Sequence, residues 1–274
     1  MMAAQLLRMG EERLSPLPDA RWDARQLLEE ALEIPRGAFV RRLSEDVQPA
    51  AAKRYLDWIE RRAKGEPTQY VLGKAYFMGL EYAVDSRVLI PRQDTELLCE
   101  TALEYAGMHE CKTALDLCTG SGALAVALNK LGNLAVTATD LSADALAVAQ
   151  ENAHRNDAQV RFLQGDLTKA LSVEDRFDLI VCNPPYLTQS EMNDLQSEVR
   201  KEPAMALFGG DDGLLFYKRL AQEAKAHLNA GGCLMMEIGC EQGRSVPELF
   251  CGWSTEVLRD LNGLDRVVTA VRME

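Results

Sequence analysis

The sequence predicts an α/β protein in which helices cover both faces of a mostly parallel sheet, with a small helical module before it. From residue 96 onward, short apolar segments alternate with amphipathic segments of helical period. Apolar strands between amphipathic helices are typical of a parallel sheet that is buried on both faces. Residues 1–64 contain few glycines and no strand-like alternation. We therefore expect three parts: a helical domain at 1–66, a β-hairpin linker at 67–95 and the sheet domain at 96–274.

The first part is predicted to consist of amphipathic helices. Segments 19–32 and 48–65 place apolar side chains at helical spacing, with Tyr55 and Ile59 on one face of the second segment and charges on the other. Asp19 is a candidate N-cap for the first of these helices. The linker differs, because its apolar side chains alternate with the period of a strand. They are Tyr76, Met78, Leu80, Tyr82 and Val84.

Beyond the linker, the pattern predicts an alternation of helices and strands. The predicted helices are 95–107, 122–132, 142–156, 214–228 and 243–250. The predicted strands are 113–117, 134–140, 160–166, 177–183, 232–239, 254–260 and 265–273. No internal repeat or low-complexity tract interrupts this order.

The composition excludes several classes of protein. The chain of 274 residues is 47% hydrophobic and 26% charged, and no stretch approaches the roughly 18 apolar residues of a membrane-spanning helix. Charges interrupt its short apolar N-terminus, which is unlike a signal peptide, so we expect a cytoplasmic protein. Seven cysteines without a C-x-x-C pair and three scattered histidines predict no metal site.

The net charge of -12 is unevenly distributed along the chain. Residues 1–75 carry 13 basic and 12 acidic side chains, whereas the remaining residues carry 17 basic and 30 acidic ones. An acidic surface repels a phosphate backbone, so duplex nucleic acid is a disfavoured partner. We expect a protein or a small molecule instead.

A glycine-rich turn joins the first strand of the predicted sheet to its helix, in "TALDLCTGSGALAVAL" at 113–128. Gly120 and Gly122 let the backbone bend sharply near a ligand, and the helix begins with unpaired N–H groups. Asp140 ends the next strand, where a carboxylate can accept from both ribose hydroxyls. This pattern fits a nicotinamide dinucleotide or S-adenosylmethionine, and a tight turn without any ligand is a third interpretation.

Three further features favour S-adenosylmethionine. Asp116 lies at the end of the strand before the turn, Asp166 ends the third strand where adenine would lie, and "NPPY" at 183–186 ends the fourth. Two consecutive prolines stop sheet pairing and hold the chain extended, and a dehydrogenase has no use for such a rigid tip. We therefore predict the Rossmann-like sheet of a class I S-adenosylmethionine-dependent methyltransferase, with these tips at its ligand-binding edge.

The NPPY tip supplies hydrogen-bond acceptors for a planar –NH2 group. We predict that such a group donates one hydrogen to the Asn183 side-chain oxygen and one to the Pro184 carbonyl, while Tyr186 packs on its plane. The nitrogen lone pair then faces the methyl group, which makes these three residues the predicted catalytic residues. The structural alternative is that Asn183 caps a turn and the prolines stiffen a loop.

Two kinds of methyl acceptor fit this tip, and the motif does not separate them. One is the amino group of adenine or guanine, and the other is the side-chain amide of glutamine. A base in a duplex must be flipped out by an enzyme that usually carries a basic surface and a recognition domain, which this chain lacks. A non-catalytic cofactor-binding module is a third hypothesis.

The sequence resembles the peptide chain release factor N5-glutamine methyltransferases, the HemK/PrmC group, over nearly the whole chain. The similar blocks are the linker at 67–96, "LDLCTGSGALAVAL", "NPPY", "EPAMALFGGDDGLLFYKRL" and "LMMEIGCEQG". The resemblance implies S-adenosylmethionine as the cofactor and S-adenosylhomocysteine as its product. It also implies that the helical domain docks class I release factors, whose Gly-Gly-Gln glutamine is methylated, and that this modulates translation termination. No nucleic acid or membrane partner is implied.

The resemblance assigns site residues by position. The implied cofactor contacts are Asp116, Cys118, Thr119, Gly120, Ser121, Gly122, Asp140, Leu141, Asp166, Leu167 and Asn183. The implied glutamine contacts are Asn183, Pro184, Pro185 and Tyr186. The chain departs from the family pattern at Cys118, where glycine is common, and at Gln93 and Asp94, which replace a commoner Pro-Glu pair.

Overall fold

The computed structural model describes residues 1–34 and 37–272, which divide into two compact units. The first unit comprises Met1–Lys74 and Gln196–Lys201, and the second comprises Ala75–Leu195 and the described chain from Glu202 onward. The predicted domain limits at residues 66 and 95 remain predictions. Across the described residues, no helix has both the length and the apolar character that crossing a membrane requires.

The first unit is helical, as the sequence predicts. Its helices are α1 (Ala3–Leu14), α2 (Ala20–Ala31), α3 (Phe39–Arg42), α4 (Pro49–Ala63) and α5 (Thr68–Leu72). Leu6, Leu27 and Tyr55, on α1, α2 and α4, belong to one buried apolar core. Asp19 precedes α2 as predicted, but its side chain makes no capping hydrogen bond.

A buried ion pair links the elements of this unit. Asp23 in α2 accepts hydrogen bonds from Arg62 at 2.7 Å and from Thr68 at 2.8 Å. The Arg62 guanidinium also lies 2.7 Å from the carboxylate of Glu198. Removing one partner of a buried pair costs about 3–5 kcal/mol, so these residues hold the unit's fold.

The linker begins with a helix, where the sequence predicts a hairpin. α5 buries Thr68, Tyr70 and Val71 at helical spacing, and Pro67 precedes it where a missing N–H costs nothing. The prediction is therefore wrong over 68–72. It is confirmed from β1 (Lys74–Phe77) to β2 (Leu80–Ala83), which pair as a two-stranded sheet.

The second unit contains a seven-stranded sheet. Its strands are β3 (Thr113–Leu117), β4 (Ala135–Asp140), β5 (Val160–Gln164), β6 (Phe177–Cys182), β7 (Leu228–Glu237), β8 (Trp253–Arg259) and β9 (Asp265–Arg272). They lie in the order β5-β4-β3-β6-β7-β9-β8. β3 to β7 pair in parallel, whereas β9 pairs with β7 and β8 in antiparallel fashion. The predicted, mostly parallel α/β fold is confirmed.

Helices flank both faces of this sheet. They are α6 (Asp94–Met108), α7 (Ala123–Gly132), α8 (Ala143–Arg155), α9 (Gln189–Asn193) and α10 (Leu215–Glu223). Successive residues of β6 point to opposite faces: Val181 joins the core that contains Leu98 of α6, and Ile180 joins the core that contains Tyr217 of α10. Burial on both faces explains why the central strands β3 and β6 are mostly apolar.

One predicted helix is wrong. Segment 243–250 forms only a short 3-10 turn at Pro247–Leu249, because a proline inside an α-helix lacks an N–H and its ring clashes with the preceding turn. The helix predicted at 214–228 stops as an α-helix at Glu223 and continues as a 3-10 turn at Ala224–His227.

The strand order creates a crevice at one edge of the sheet. From β3 the order runs outward in both directions, to β4 and β5 on one side and to β6 and β7 on the other. In open α/β sheets, ligands bind at the carboxyl ends of the strands where the order reverses. The segments that follow β3, β4, β5 and β6 therefore surround the candidate site.

Candidate active site

A pocket of about 540 Å³ opens at the carboxyl edge of the sheet in the second unit. Eight predicted site residues line it, namely Cys118, Gly120, Asp140, Leu141, Asp166, Leu167, Asn183 and Pro185. The other six lie within two positions of these residues in the chain but are not part of the lining, namely Asp116, Thr119, Ser121, Gly122, Pro184 and Tyr186. Part of the remaining wall comes from the loop before α10, including Met205 and Phe208, which sequence reasoning did not single out.

The glycine-rich turn after β3 uses left-handed backbone angles. The φ angles are 60° at Cys118, 54° at Gly120 and 80° at Gly122. A Cβ at Gly122 would lie 3.0 Å from the Ala149 side chain of α8, so the absence of a side chain permits this close approach. Cys118 holds its left-handed φ with a side chain present, at a cost of about 1–2 kcal/mol.

Asp116 lies fully buried beneath this turn. Its Oδ2 accepts hydrogen bonds from the Thr119 hydroxyl at 2.5 Å and from the Ala125 N–H at 3.2 Å. Among the described residues, none donates to its buried Oδ1. Burial raises the pKa of this carboxyl to about 7. A buried acceptor of this kind needs a donor that the turn does not supply.

Asp140 reaches the pocket from the end of β4. Its Oδ2 accepts from the Gly120 N–H at 2.8 Å, and its Oδ1 accepts from the Ser142 N–H at 2.9 Å. Burial raises the pKa of the carboxyl, and these N–H groups oppose that shift. The backbone thus fixes this carboxylate at the pocket wall, which is where the sequence places a ribose contact.

Asp166 lines the pocket but is already paired with two cations. It accepts hydrogen bonds from Arg219 at 2.7 Å and from Lys169 at 2.8 Å. These bonds lower the pKa of its carboxyl. The predicted adenine contact of Asp166 stays a prediction, and the structure adds Arg219 of α10 to this side of the pocket.

A chain of side-chain hydrogen bonds holds Asn183 at the end of β6. Its Nδ2 donates to the Thr95 hydroxyl at 3.1 Å, and that hydroxyl donates to Glu237 Oε2 at 2.6 Å. The other carboxylate oxygen, Oε1, lies 3.5 Å from the Tyr186 hydroxyl. Asn183 also lines the pocket, so one amide group faces both the buried chain and the cavity.

Glu237 is the buried end of this chain. It is 2% exposed at the carboxyl end of β7. Burial raises the pKa of its carboxyl to about 7, while the hydrogen bond from Thr95 and the charge of Arg266 act in the opposite direction. A carboxyl this deeply buried depends on its hydrogen bonds to offset the cost of leaving water.

Residues 207–213 support the backbone of the NPPY tip. The Leu187 N–H donates to the Leu207 carbonyl at 2.9 Å, and the Gly209 N–H donates to the Leu187 carbonyl at 2.8 Å. A Cβ at Gly209 would lie 2.6 Å from Tyr186 Cα. Gly209 therefore lets this loop pack directly on the tip.

Sequence reasoning missed Thr95, Gly209 and Glu237 as site residues. Thr95 and Glu237 are separated by 142 positions along the chain, so no local spacing connects them. The sequence does contain one indication, because Glu237 ends the apolar run "CLMME". A charged residue in a buried strand is seldom found without a hydrogen-bond or ion-pair partner.

Two family models match different parts of the chain. Residues 93–210 match the family described as Methyltransferase small domain, and residues 5–73 match the PrmC N-terminal domain. The chain is similar to a release factor glutamine methyltransferase of Deinococcus radiodurans, with 40% identity over 280 residues and 99% of each chain covered. A protein of the same name from Moorella thermoacetica is 42% identical over 93% of this chain and 92% of its own.

A solved structure shares the fold of most of this chain. The methyltransferase from Pyrococcus furiosus superimposes with a TM-score of 0.55 over 72% of this chain and 91% of that one. Its sequence identity is 21%, so the likeness concerns the fold alone.

Proposed function

Since this chain belongs to the family of release factor glutamine methyltransferases, we propose that it methylates the side-chain nitrogen of the Gly-Gly-Gln glutamine in class I peptide chain release factors. One observation supports this most strongly. The Asn183 NH2 is bonded to Thr95, which leaves the Asn183 oxygen as an acceptor at the pocket. Such an acceptor can receive a hydrogen bond from a carboxamide –NH2 group.

We assign the cofactor side to the turn after β3, and its donors and acceptors fit S-adenosylmethionine. Asp116 has a buried oxygen that needs a donor, which an amino group would provide. Asp140 presents a fixed carboxylate suited to ribose hydroxyls, and Leu141 and Leu167 give an apolar wall for a purine. When bound, S-adenosylmethionine supplies an electrophilic methyl group on a sulfonium centre and leaves as S-adenosylhomocysteine.

We assign the substrate side to the NPPY tip. An amide nitrogen is a poor nucleophile because its lone pair is delocalised, so positioning must supply much of the rate. The Asn183 Oδ1 and the Pro184 carbonyl each accept one hydrogen of the glutamine –NH2, and Pro185 and Tyr186 bound the rest of the group. Good alignment can contribute about 7–11 kcal/mol in favourable cases.

The two acceptor oxygens also account for the proton. As the new N–C bond forms and the S–CH3 bond breaks, the nitrogen becomes acidic. Its surplus proton points at the Asn183 or Pro184 oxygen and is released from there to water. A strong general base is therefore not required at this position.

We assign docking of the release factor to the first unit, which carries the match to the PrmC N-terminal domain, and we expect the reaction in the cytoplasm. The rival hypothesis, methylation of a nucleic-acid amino group, gains no support from a chain whose net charge is -12.

Transfer of a labelled methyl group tests the proposal. The enzyme is incubated with methyl-labelled S-adenosylmethionine and a class I release factor, and separately with a release factor whose Gly-Gly-Gln glutamine is replaced by alanine. We expect label on the first protein only, at the glutamine side chain. Equal labelling of both proteins, or label on RNA added in parallel, would contradict it.

A further inference from the structure

We propose that Thr95 and Glu237 are positioning residues that fix which way the Asn183 amide faces, so that its oxygen and not its nitrogen meets the substrate. This inference rests on the proposed function, because it concerns the group that receives the glutamine –NH2. Thr95 and Glu237 are both buried and neither lines the pocket. They act through Asn183.

The orientation of an asparagine amide matters because its two ends are nearly identical in shape and opposite in hydrogen bonding. The oxygen accepts and the nitrogen donates. If the Asn183 nitrogen faced the pocket, two –NH2 groups would meet there and neither could accept. Free rotation about the side chain would place the amide in this unproductive state for part of the time.

The hydrogen bonds from Glu237 through Thr95 to Asn183 determine the orientation of the Asn183 amide. A carboxylate has only acceptors, so Glu237 Oε2 takes the single hydrogen of the Thr95 hydroxyl at 2.6 Å. That hydroxyl then has only lone pairs to offer its other neighbour. The neighbouring Asn183 atom at 3.1 Å must donate, and so must be the nitrogen. The Asn183 oxygen is left to face the cavity.

The residues around Thr95 and Glu237 keep these hydrogen bonds in place. Thr95 is 5% exposed and Glu237 is 2% exposed, so water does not compete for the central bond. Thr95 lies in the first turn of α6 and Glu237 ends β7, two elements that pack together in the same unit. The Tyr217 hydroxyl further anchors the Glu237 main chain by donating to its carbonyl at 2.8 Å.

The charge on Glu237 determines which group donates in each hydrogen bond between Glu237, Thr95 and Asn183. Besides Thr95, the groups that face this carboxyl are the Tyr186 hydroxyl at 3.5 Å and the charges of Arg266 and Asp94. A protonated Glu237 could donate to Thr95 and release the hydroxyl hydrogen toward Asn183, which would favour the flipped amide. We therefore expect kcat at saturating cofactor to fall as the pH drops through the range near 7 where burial places the pKa of Glu237.

Two substitutions at one position separate the hydroxyl from the shape of the side chain. Thr95→Val keeps the shape and removes the hydroxyl, whereas Thr95→Ser keeps the hydroxyl. We expect Thr95→Val to lower kcat roughly tenfold, which corresponds to about 1.4 kcal/mol, with little change in KM for the release factor or in Kd for S-adenosylmethionine. Thr95→Ser should stay within about threefold of the parent. The acid-side fall in kcat should disappear in Thr95→Val.

A double-mutant cycle shows whether the effect passes through Asn183. In an Asn183→Ala background, no amide is left to orient, so adding Thr95→Val should change kcat by less than about twofold. An equal loss in both backgrounds would mean that Thr95 acts only on general structure, and would overturn the inference. So would a Thr95→Val enzyme with the parental kcat.

A second measurement does not depend on activity. The side-chain ¹⁵NH2 resonances of Asn183, assigned by their loss in Asn183→Asp, should move in Thr95→Val and stay close to the parent in Thr95→Ser. Unchanged resonances in Thr95→Val would remove the hydrogen bond on which the inference depends. If the parent enzyme fails to label any release factor, the proposed function fails, and these resonances still decide whether Thr95 orients the amide.

Discussion

Two fully buried carboxyls, Asp116 and Glu237, lie under the same edge of the sheet and are held in different ways. Burial raises the pKa of each to about 7. Asp116 is held by its own turn, through Thr119 and the Ala125 N–H. Glu237 is held by distant side chains, Thr95 and Tyr186. The cofactor side is thus built from local backbone, and the amide side from long-range side-chain contacts.

The largest expected effect falls on the amide side. Asn183→Ala removes the proposed acceptor of the glutamine –NH2, and losing one preorganised partner of this kind lowers kcat by about 10²–10³. The Kd for S-adenosylmethionine should change little, because the turn after β3 is untouched. Steady-state kinetics and calorimetric titration check the two quantities.

Gln159→Ala provides the matched control for this substitution. Gln159 is an exposed amide next to the start of β5, at the opposite edge of the sheet from the pocket. Its removal should leave kcat unchanged. If both variants lost the same activity, the Asn183 amide would have no special role.

The cofactor side should respond with the opposite kinetic pattern. Asp140→Asn removes the charge and one acceptor, and a hydrogen bond to a charged group contributes about 1.5–3 kcal/mol. We expect the Kd for S-adenosylmethionine to rise by about tenfold to a hundredfold, with kcat at saturating cofactor nearly preserved. Asp144→Asn, at an exposed position in the first turn of α8, is the control, and a fall in kcat without a change in Kd would contradict the assignment.

A glycine tests whether the loop before α10 supports the amide side. In Gly209→Ala the new Cβ would lie 2.6 Å from Tyr186 Cα and 2.7 Å from the Pro185 carbonyl. Overpacking of this kind costs about 1–3 kcal/mol of unfolding free energy, and the tip must shift, so kcat should fall as well.

Gly107 in α6 offers the contrasting glycine. A Cβ there meets nothing within 4 Å, so Gly107→Ala should raise the unfolding free energy by about 0.5–1 kcal/mol through helix propensity. Thermal or urea unfolding measures both variants. A neutral Gly209→Ala would show that the loop does not support the tip.

The burial of Glu237 also predicts a pH dependence of stability. Burial raises the pKa of Glu237 from 4.5 to about 7, so the folded state keeps a proton that the unfolded chain has lost. The unfolding free energy therefore falls as the pH rises from about 4.5 to about 7. Glu237→Gln should make this part of the profile shallower, with the contribution of Asp116 remaining, while the exposed Glu256→Gln should leave it unchanged. Parallel profiles for the parent and Glu237→Gln would contradict the burial of this charge.

The residues proposed for the cofactor side could be predicted from the sequence because they lie close together in the chain. Asp116, the turn and Asp140 lie within one strand–turn–helix–strand segment, and Gly120 donates to Asp140 over 20 positions. The parallel sheet was equally predictable, since short, largely apolar segments such as β3 and β6 alternate with amphipathic helices.

Only some of the residues on the amide side could be predicted from the sequence. The prolines mark the tip at Asn183, but its partner Thr95 lies 88 positions away in a segment that periodicity assigns to an ordinary helix. Only the fold brings α6 and β7 to the same strand end. The error at 243–250 has a simpler origin, because Pro247 lies inside the predicted helix.

The most direct test of the central claim is a crystal structure of this enzyme with S-adenosylhomocysteine and a release factor. We expect the glutamine Nε2 within hydrogen-bond distance of the Asn183 side-chain oxygen and of the Pro184 carbonyl oxygen, with the Asn183 nitrogen on Thr95. A complex in which the glutamine bonds neither oxygen, or in which Asn183 turns away from the ligand, would contradict it.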